Sequence, residues 1–444
     1  MLSLKEDTML GNIPSHWQVR PLRELVKENQ AGDWGAEGGP HMVDVLRSTN
    51  LTRRGHLNLS DVARRSLPPQ KAARLELRQN DILLERSGGG PDQPVGRVGF
   101  VSKHMPGSAF SNFLHLLRPD PSEINPLYLK WILWRVNQTK RILRLEQQTT
   151  QLRNLNFRDY MSMPLPVPPP AEQEAIAQVL DAADEAIERT RAEMKQVERL
   201  ERGILTDLLS RGLGESGVLR NEDDHITTPI GKLPAAWELR RVGNEFDLQN
   251  GFTLNEARRP VYRKRRYLRV ANVQRDALKL ADIAELEAKD QEFALRELQV
   301  DDLLVVEGHA DRMQIGRCAR VTPEVAGMAF QNHLFRLRSR GRVNPYFGAI
   351  WLNSTYAQRY WNGQCATSSG LNTINQRMLK NMIIPVPPPR EQEHIVQIVQ
   401  GVRTAKEALK TKLTAQESLK AGLLHDLLTG RVRVGVTTSP TTSV

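Results

Sequence analysis

Apolar side chains recur with a helical period in two long stretches of this chain, and in short, turn-bounded runs elsewhere. From Ala171 to about Leu209, apolar or small residues return in alternating four- and three-residue steps at Ile176, Leu180, Ala183, Ile187, Met194, Val197, Ile204 and Leu208. Thr190 and Glu201 interrupt the series, no proline falls within it, and its first glycine is Gly203. Such steps are the seam of a coiled coil and predict one long helix. A second stretch carries Ile395, Val399, Val402, Leu409, Leu413, Leu423 and Leu427, with Lys406 and Gln416 breaking it. A helix of about 40 residues is roughly 60 Å long, more than the diameter of a domain of this size. Each helix therefore needs a partner along its length. Each has the other, which predicts an intramolecular antiparallel pair.

The remaining sequence, from about 10 to 165 and from about 230 to 384, mixes short apolar runs with Gly, Pro and Asn turn signals. Val98–Val101 and Asp302–Val306 have the composition of strands. Asn125-Pro126 and Asn344-Pro345 have that of helix starts, Asn as cap and Pro in the first turn. These are α+β domains, and they are related. Pro166–Glu174 and Pro385–Glu393 share Pro-Val-Pro-Pro-Pro-x-Glu-Gln-Glu, each opening one of the long helices. Ile13-Pro-x-x-Trp17 answers Leu233-Pro-x-x-Trp237, Asn50 answers Asn272, Gly96-Arg97 answers Gly316-Arg317, and Leu155-Asn156 answers Ile374-Asn375. The fold class is α+β: a globular domain followed by a long spacer helix, duplicated in tandem, the two helices forming an antiparallel coiled coil.

Lysine and arginine outnumber aspartate and glutamate 62 to 51, a net charge of +11 that favours a polyanionic partner. Cys318 and Cys365 are too few for a disulfide framework or a cysteine-based zinc site. The N-terminus has no basic region leading into an apolar core, and no apolar run is long enough for a bilayer. The chain is expected to be cytoplasmic, with no membrane partner.

Candidate chemistry is sparse. Asn125-Pro-Leu-Tyr128 and Asn344-Pro-Tyr-Phe347 approach the Asn-Pro-Pro-Tyr/Phe of amino-methyltransferases but lack the second proline. Capped helices explain them better. Asp276 with Glu287-Ala-Lys289 mimics a metal-dependent nuclease, but lies in a charged, helix-like segment with no counterpart in the other half. Gly88-Gly89-Gly90 lacks the Gly-Lys-Ser/Thr of a P-loop. No catalytic residue and no metal site is assigned. What remains is basic and polar, suited to phosphates and to guanine. The candidate DNA contacts are Arg53, Arg54, Arg86, Ser87, Arg97 and Arg153 in the first half. In the second half they are Arg258, Arg259, Arg263, Lys264, Arg265, Arg266, His309, Arg312 and Arg317. The polar loops Gln148–Gln151 and Thr367–Gly370 recur before the Leu/Ile-Asn pairs and suit repeated turns.

Taken in order, these motifs resemble those of the specificity subunit of type I restriction–modification enzymes. The match rests on Ile13-Pro-x-x-Trp17 and Leu233-Pro-x-x-Trp237, the Asp81-Ile-Leu-Leu and Asp302-Leu-Leu-Val strands, Gly96-Arg97 and Gly316-Arg317. The two Pro-x-Pro-Pro-x-x-Glu-Gln elements, running into Leu208-Leu209 and Leu427-Leu428, complete it from Ile13 to Val434. The resemblance implies target-recognition domains at 1–165 and 230–384, a central spacer helix at 166–211 and a distal one at 385–434. A linker at 212–229 and a disordered tail at 435–444 complete the division. It implies a non-catalytic subunit that binds double-stranded DNA, each domain reading one half of a split target, with spacer length setting the unspecified gap. Two methylation subunits and restriction subunits (translocase and nuclease) would be its partners. S-adenosylmethionine, ATP and magnesium would sit on those partners, and no cofactor on this chain. The competing readings are a self-sufficient methyltransferase or nuclease, and a coiled-coil scaffold that binds nucleic acid without sequence choice.

Overall fold

Two stretches that keep a seam with no proline become two unbroken helices in the computed structural model: a central helix, Pro170–Arg211, and a distal helix, Pro389–Leu428. The structure describes residues 4–89, 93–148, 153–368 and 371–435. The expected disordered tail lies outside these from residue 436 onward, as do most of the 148–151 loop and residues 369–370. Contacts divide the chain into Met1–Ala192 with Thr411–Val444 (unit 1) and Glu193–Lys410 (unit 2). Both divisions fall inside the long helices. Each unit thus holds one globular domain, about half of the central helix and about half of the distal helix.

In unit 1 a four-stranded antiparallel sheet runs in the order Val26–Ala31, Leu114–Pro119, Ile82–Glu85, Val98–Phe100. A three-stranded mixed sheet places Met42–Leu46 between Ser108–Phe110 and Ala63–Ser66. A ribbon joins Glu146–Gln148, Arg153–Leu155 and Ser87–Gly89. Unit 2 repeats this order strand for strand: Phe246–Asn250, Leu334–Ser339, Leu303–Val306, Cys318–Arg320; then Ala284–Glu287, Lys264–Leu268, Ala329–Phe330; then Gly308–His309, Leu371–Thr373, Ala366–Ser368. Ile82–Glu85 and Leu303–Val306 are buried throughout, which is why their sequences do not alternate.

The shared motifs turn out to be joints. Trp17 Nε1 donates to buried Glu172 at 3.2 Å, and Trp237 Nε1 to buried Glu391 at 2.9 Å. Gln173 accepts from the Asn125 amide (2.8 Å) and donates to the Pro168 carbonyl (2.9 Å). Gln392 does the same with Asn344 (2.7 Å) and Pro387 (2.8 Å). The Glu-Gln pair therefore pins the opening strand and the Asn-Pro helix to the start of each long helix. Asn125 caps its helix by accepting from Leu127 and Tyr128, and Asn344 caps its own by accepting from Tyr346. Asp81 and Asp302, 1% exposed, each take two hydrogen bonds from one guanidinium, Arg118 at 2.8 and 2.9 Å and Arg338 at 2.7 and 2.7 Å.

The helices pair antiparallel within each unit. In unit 1, Asp184 meets Lys420 and Arg191 meets Glu417. Ile176 and Leu180 share a core there with Leu424, Leu427 and Leu428. In unit 2, Glu201 meets Lys406 at 2.7 Å, and Leu208 and Leu209 share a core with Ile395 and Val399. Lys406, which breaks the apolar seam, is matched there by the Glu201 carboxylate of the opposite helix.

Two segments differ from expectation. Leu280–Lys289 is not helical: Ala284–Glu287 is a strand paired with Lys264–Leu268, because Leu286 enters a core. The expected 212–229 linker is ordered, with Leu213 buried and His225–Thr228 forming a hairpin with Gly231–Pro234. That hairpin repeats the one between Leu4–Thr8 and Gly11–Pro14. No described helix is long and apolar enough to cross a membrane.

Candidate nucleic-acid interface

In each domain the strand that follows the buried Asp-bonded run continues into the three-stranded ribbon, and there the two halves part company. Their backbones agree. The Arg86 amide donates to the Phe113 carbonyl (2.8 Å), and the Glu307 amide to the His333 carbonyl (3.0 Å). The Leu155 amide donates to the Arg86 carbonyl (2.8 Å), and the Ile374 amide to the Glu307 carbonyl (2.9 Å). Ser87 lies opposite Asn154 and Gly308 opposite Thr373. The side chains disagree. Arg86 is replaced by Glu307, Ser87 by Gly308, Phe113 by His333, Arg153 by Asn372 and Asn154 by Thr373. Gly88, at φ 116°, forms a bulge in the first ribbon where the second runs straight into His309.

The first ribbon presents a cation and a polar pair. The Arg86 guanidinium lies 5.2 Å from the Phe157 ring centroid, and that ring also meets the His115 ring at 3.9 Å. Ser87 Oγ donates to Asn154 Oδ1 at 2.5 Å, and Arg153 is tied to Glu146 at 3.0 Å. Burial, and then the Arg86 charge, lower the His115 pKa to about 4, so the imidazole is neutral at pH 7 and donates through Nε2 to Asn29 at 3.2 Å. A histidine whose folded pKa lies below its unfolded value of 6.5 costs stability as pH falls through the interval between them. Taking the protein from pH 7 to pH 5 should therefore cost about 2 kcal/mol at this group. Thermal melts across that range should show a smaller loss in His115→Asn than in the parent.

The second ribbon presents the opposite charge. Glu307 accepts from His333 Nδ1 at 2.8 Å, and His309 Nδ1 accepts from the Asp311 amide at 2.9 Å. Arg312 donates to the Asn362 carbonyl at 3.0 Å and to Cys365 Sγ at 3.2 Å.

A separate basic strip occurs in unit 2. Lys264 and Arg266 project from the exposed face of their strand, while Tyr267 is buried on the other. The preceding turn is held by Glu287, whose carboxylate accepts from the amides of Val261, Tyr262 and Arg263 at 2.9, 2.9 and 2.6 Å. Tyr262 stands 91% exposed at its tip. Among the described residues no carboxylate pairs with Arg259, Lys264 or Arg266. Arg258 is bound through two nitrogens to Glu292 and lies over Phe252; Arg265 pairs with Asp290 and lies over Phe293; Arg263 is 3.8 Å from Asp290. The first domain has Met42 and Asp44 where this strip has Lys264 and Arg266.

Other candidates are occupied internally. Arg97 forms a two-point pair with fully buried Glu85 (2.9 and 2.6 Å) and reaches the Ser48 and Leu51 carbonyls. Arg317, 5% exposed, reaches the equivalent Val270 carbonyl at 2.9 Å, but its half has Val306 in place of Glu85. Burial and the nearby Arg275 charge pull its pKa below the usual guanidinium range. Both are braces between a strand and a short helical turn. Arg54 pairs with Glu188 of the central helix at 2.5 Å, while the Arg53 side chain is exposed. Asp276 and Glu287 serve separate contacts, Asp276 with Arg403 at 2.9 Å and Asn353 at 2.7 Å. Among the described residues no group of three or more His, Cys, Asp or Glu side chains could hold a metal. Asn154 and His333 escaped the sequence reading, and Glu307, where the halves visibly diverge, was not among its candidate contacts. Aligning the halves at Leu155 and Ile374 and asking which neighbours change would have found them.

A family model described as type I restriction modification DNA specificity domain matches residues 14–199. The type I restriction enzyme StySPI specificity subunit of Salmonella potsdam is 22% identical over 445 residues, covering 95% of this chain and 90% of its own length. The EcoKI specificity subunit of Escherichia coli (strain K12) is 22% identical over 409 residues, covering 88% and 82%. The crystal structure of a type-I restriction-modification system S subunit from M. genitalium aligns with a TM-score of 0.56 at 16% identity, over 93% of this chain and 96% of that one, which shows a common fold.

Proposed function

We infer the function from one premise: the chain belongs to the family of type I restriction–modification DNA specificity subunits. On that premise it is the sequence-reading subunit of such a system. Each domain reads one half of a bipartite duplex target, and the paired helices set the unspecified gap. Two methylation subunits and the restriction subunits work on what it reads. S-adenosylmethionine, ATP and magnesium belong to them.

The observation that carries this reading is the pair of ribbons with one backbone and two sets of side chains. A purely structural ribbon has no cause to exchange Arg86 for Glu307 while keeping every hydrogen bond around it. Reading two different half-sites supplies one. A guanidinium suits the O6 and N7 acceptors of guanine, and a carboxylate suits the N4 amino group of cytosine. A scaffold that merely neutralises phosphate needs cations at both positions, and Glu307 opposes it.

Replacing residues 1–165 with the matching domain of another family member should change one half-site and leave the other half and the gap intact. Unchanged specificity would contradict the reading. The basic strip should act differently from the ribbons. Removing both exposed cations in Lys264→Ala/Arg266→Ala should weaken binding to all duplexes alike and lower the slope of log affinity against log salt by about 2. A sequence-selective loss would move these residues from the backbone to the bases.

A further inference from the structure

Around the two least exposed carboxylates that join the helices the charges are sorted, while the third cross-helix pair, Arg191 with the more exposed Glu417, runs the other way. On the central helix stand the acids Asp184 and Glu201, and on the distal helix the bases Arg403, Lys406 and Lys420. In unit 1, Asp184 is 2% exposed and takes hydrogen bonds from Lys420 and from His56. Burial alone would raise its carboxyl pKa, but these two donors outweigh it and bring it down to about 2. The Lys420 ammonium also lies 4.5 Å from the Trp131 ring centroid and is 7% exposed as a residue. In unit 2, Glu201 is held by Lys406 at 2.7 Å and by Arg403 at 3.3 Å.

The duplication shows what else these helices could have joined. At the offset that carries Pro166 onto Pro385, Asp184 falls on Arg403 and Glu201 on Lys420. Two central helices meeting in the same antiparallel register would therefore set Asp184 of each against Glu201 of the other. Two distal helices would set Lys420 against Arg403. Only a central helix with a distal helix puts acid against base at both places. The apolar seam cannot make this choice, because both helices offer the same kind of residues to it. The loops beside the helices follow the same sorting. In the first domain Arg54 and His56 approach the acids Glu188 and Asp184, and in the second domain Asp276 approaches Arg403.

We propose that these pairs are an assembly key: opposite charges in the seam make the central helix accept a distal helix and reject a second copy of itself. A chain built from two related halves then associates first half with second half, and never like with like. Like charges facing each other are costly where the seam is buried, as at Asp184 and Lys420, and less so at Glu201, whose partners Arg403 and Lys406 are 27% and 34% exposed. A polar pair placed there selects the partner more than it strengthens the contact. The key involves no nucleic acid, so it stands or falls separately from the DNA-reading function.

Full-length chains test it. Asp184→Lys/Glu201→Lys makes both helices basic at the key, and Lys406→Glu/Lys420→Glu makes both acidic there except at Arg403. Each double variant should melt about 8 °C or more below the parent, and the fourfold combination in one chain should return to within about 3 °C of it. Should a double variant fail to fold alone, co-expression of the two with different tags should yield a soluble one-to-one complex, the basic helices of one chain taking the acidic helices of the other. Tagged parent chains should not co-purify in this way. Double variants that melt with the parent would overturn the proposal. So would a fourfold variant no better than the doubles, with no complex on co-expression.

Discussion

Glu391→Ala is expected to lower the thermal unfolding midpoint by about 10 °C, through a loss of roughly 3–5 kcal/mol. The carboxylate is 6% exposed and serves three donors: the Leu213 amide at 2.7 Å, Trp237 Nε1 at 2.9 Å and the Arg220 guanidinium at 2.6 Å. Removing it strands two buried N–H groups and leaves a half-buried guanidinium without its counter-charge. Its counterpart Glu172 takes one hydrogen bond, from Trp17, and lies 3.6 Å from His16. Glu172→Ala should therefore cost less, about half as much. Differential scanning calorimetry of the two variants checks the order. Equal losses, or a Glu391→Ala midpoint within about 2 °C of the parent, would show that the joint does not depend on this charge.

The second large effect concerns reading. Arg86→Ala should relax discrimination at one position of one half-site by about 10- to 100-fold, the 1–3 kcal/mol that a good base contact supplies. Glu307→Ala should relax one position of the other half-site, leaving the first untouched. Neither should change the salt slope as the Lys264/Arg266 pair does. Binding to duplexes with each half-site position varied in turn would separate these outcomes. A uniform loss over all sequences in Arg86→Ala would make this side chain a phosphate contact.

Much of the architecture was legible because it is periodic or local. The seam from Ile176 to Leu208 needs only the spacing of apolar residues, and Asn125 and Asn344 cap helices through contacts two or three residues away. The duplication added a second copy against which each motif could be checked. What could not be read from spacing depends on partners far along the chain. Asp184 sits one residue beyond a seam position, and only its contact with Lys420, 236 residues away, makes it a buried member of the helix interface. Arg97 was a reasonable surface cation until Glu85, fully buried, took it inward. Ala284–Glu287 has a charged, helix-like composition, but its one buried side chain, Leu286, and its pairing with Lys264–Leu268 make it a strand. Tertiary context outweighs propensity in such short segments. The candidate interface was half legible for the same reason. Basic residues can be counted, whereas the loss of Arg97, Arg258 and Arg317 to internal partners cannot.

The central claim is that this chain selects the sequence a methylation subunit modifies. Mapping N6-methyladenine across the host genome by single-molecule sequencing, with the gene intact and deleted, tests it most directly. The account predicts that one split motif with a fixed unspecified gap loses its methylation on deletion and regains it on complementation. An unchanged methylation map, in a host where the chain is expressed and co-purifies with a methylation subunit, would contradict it.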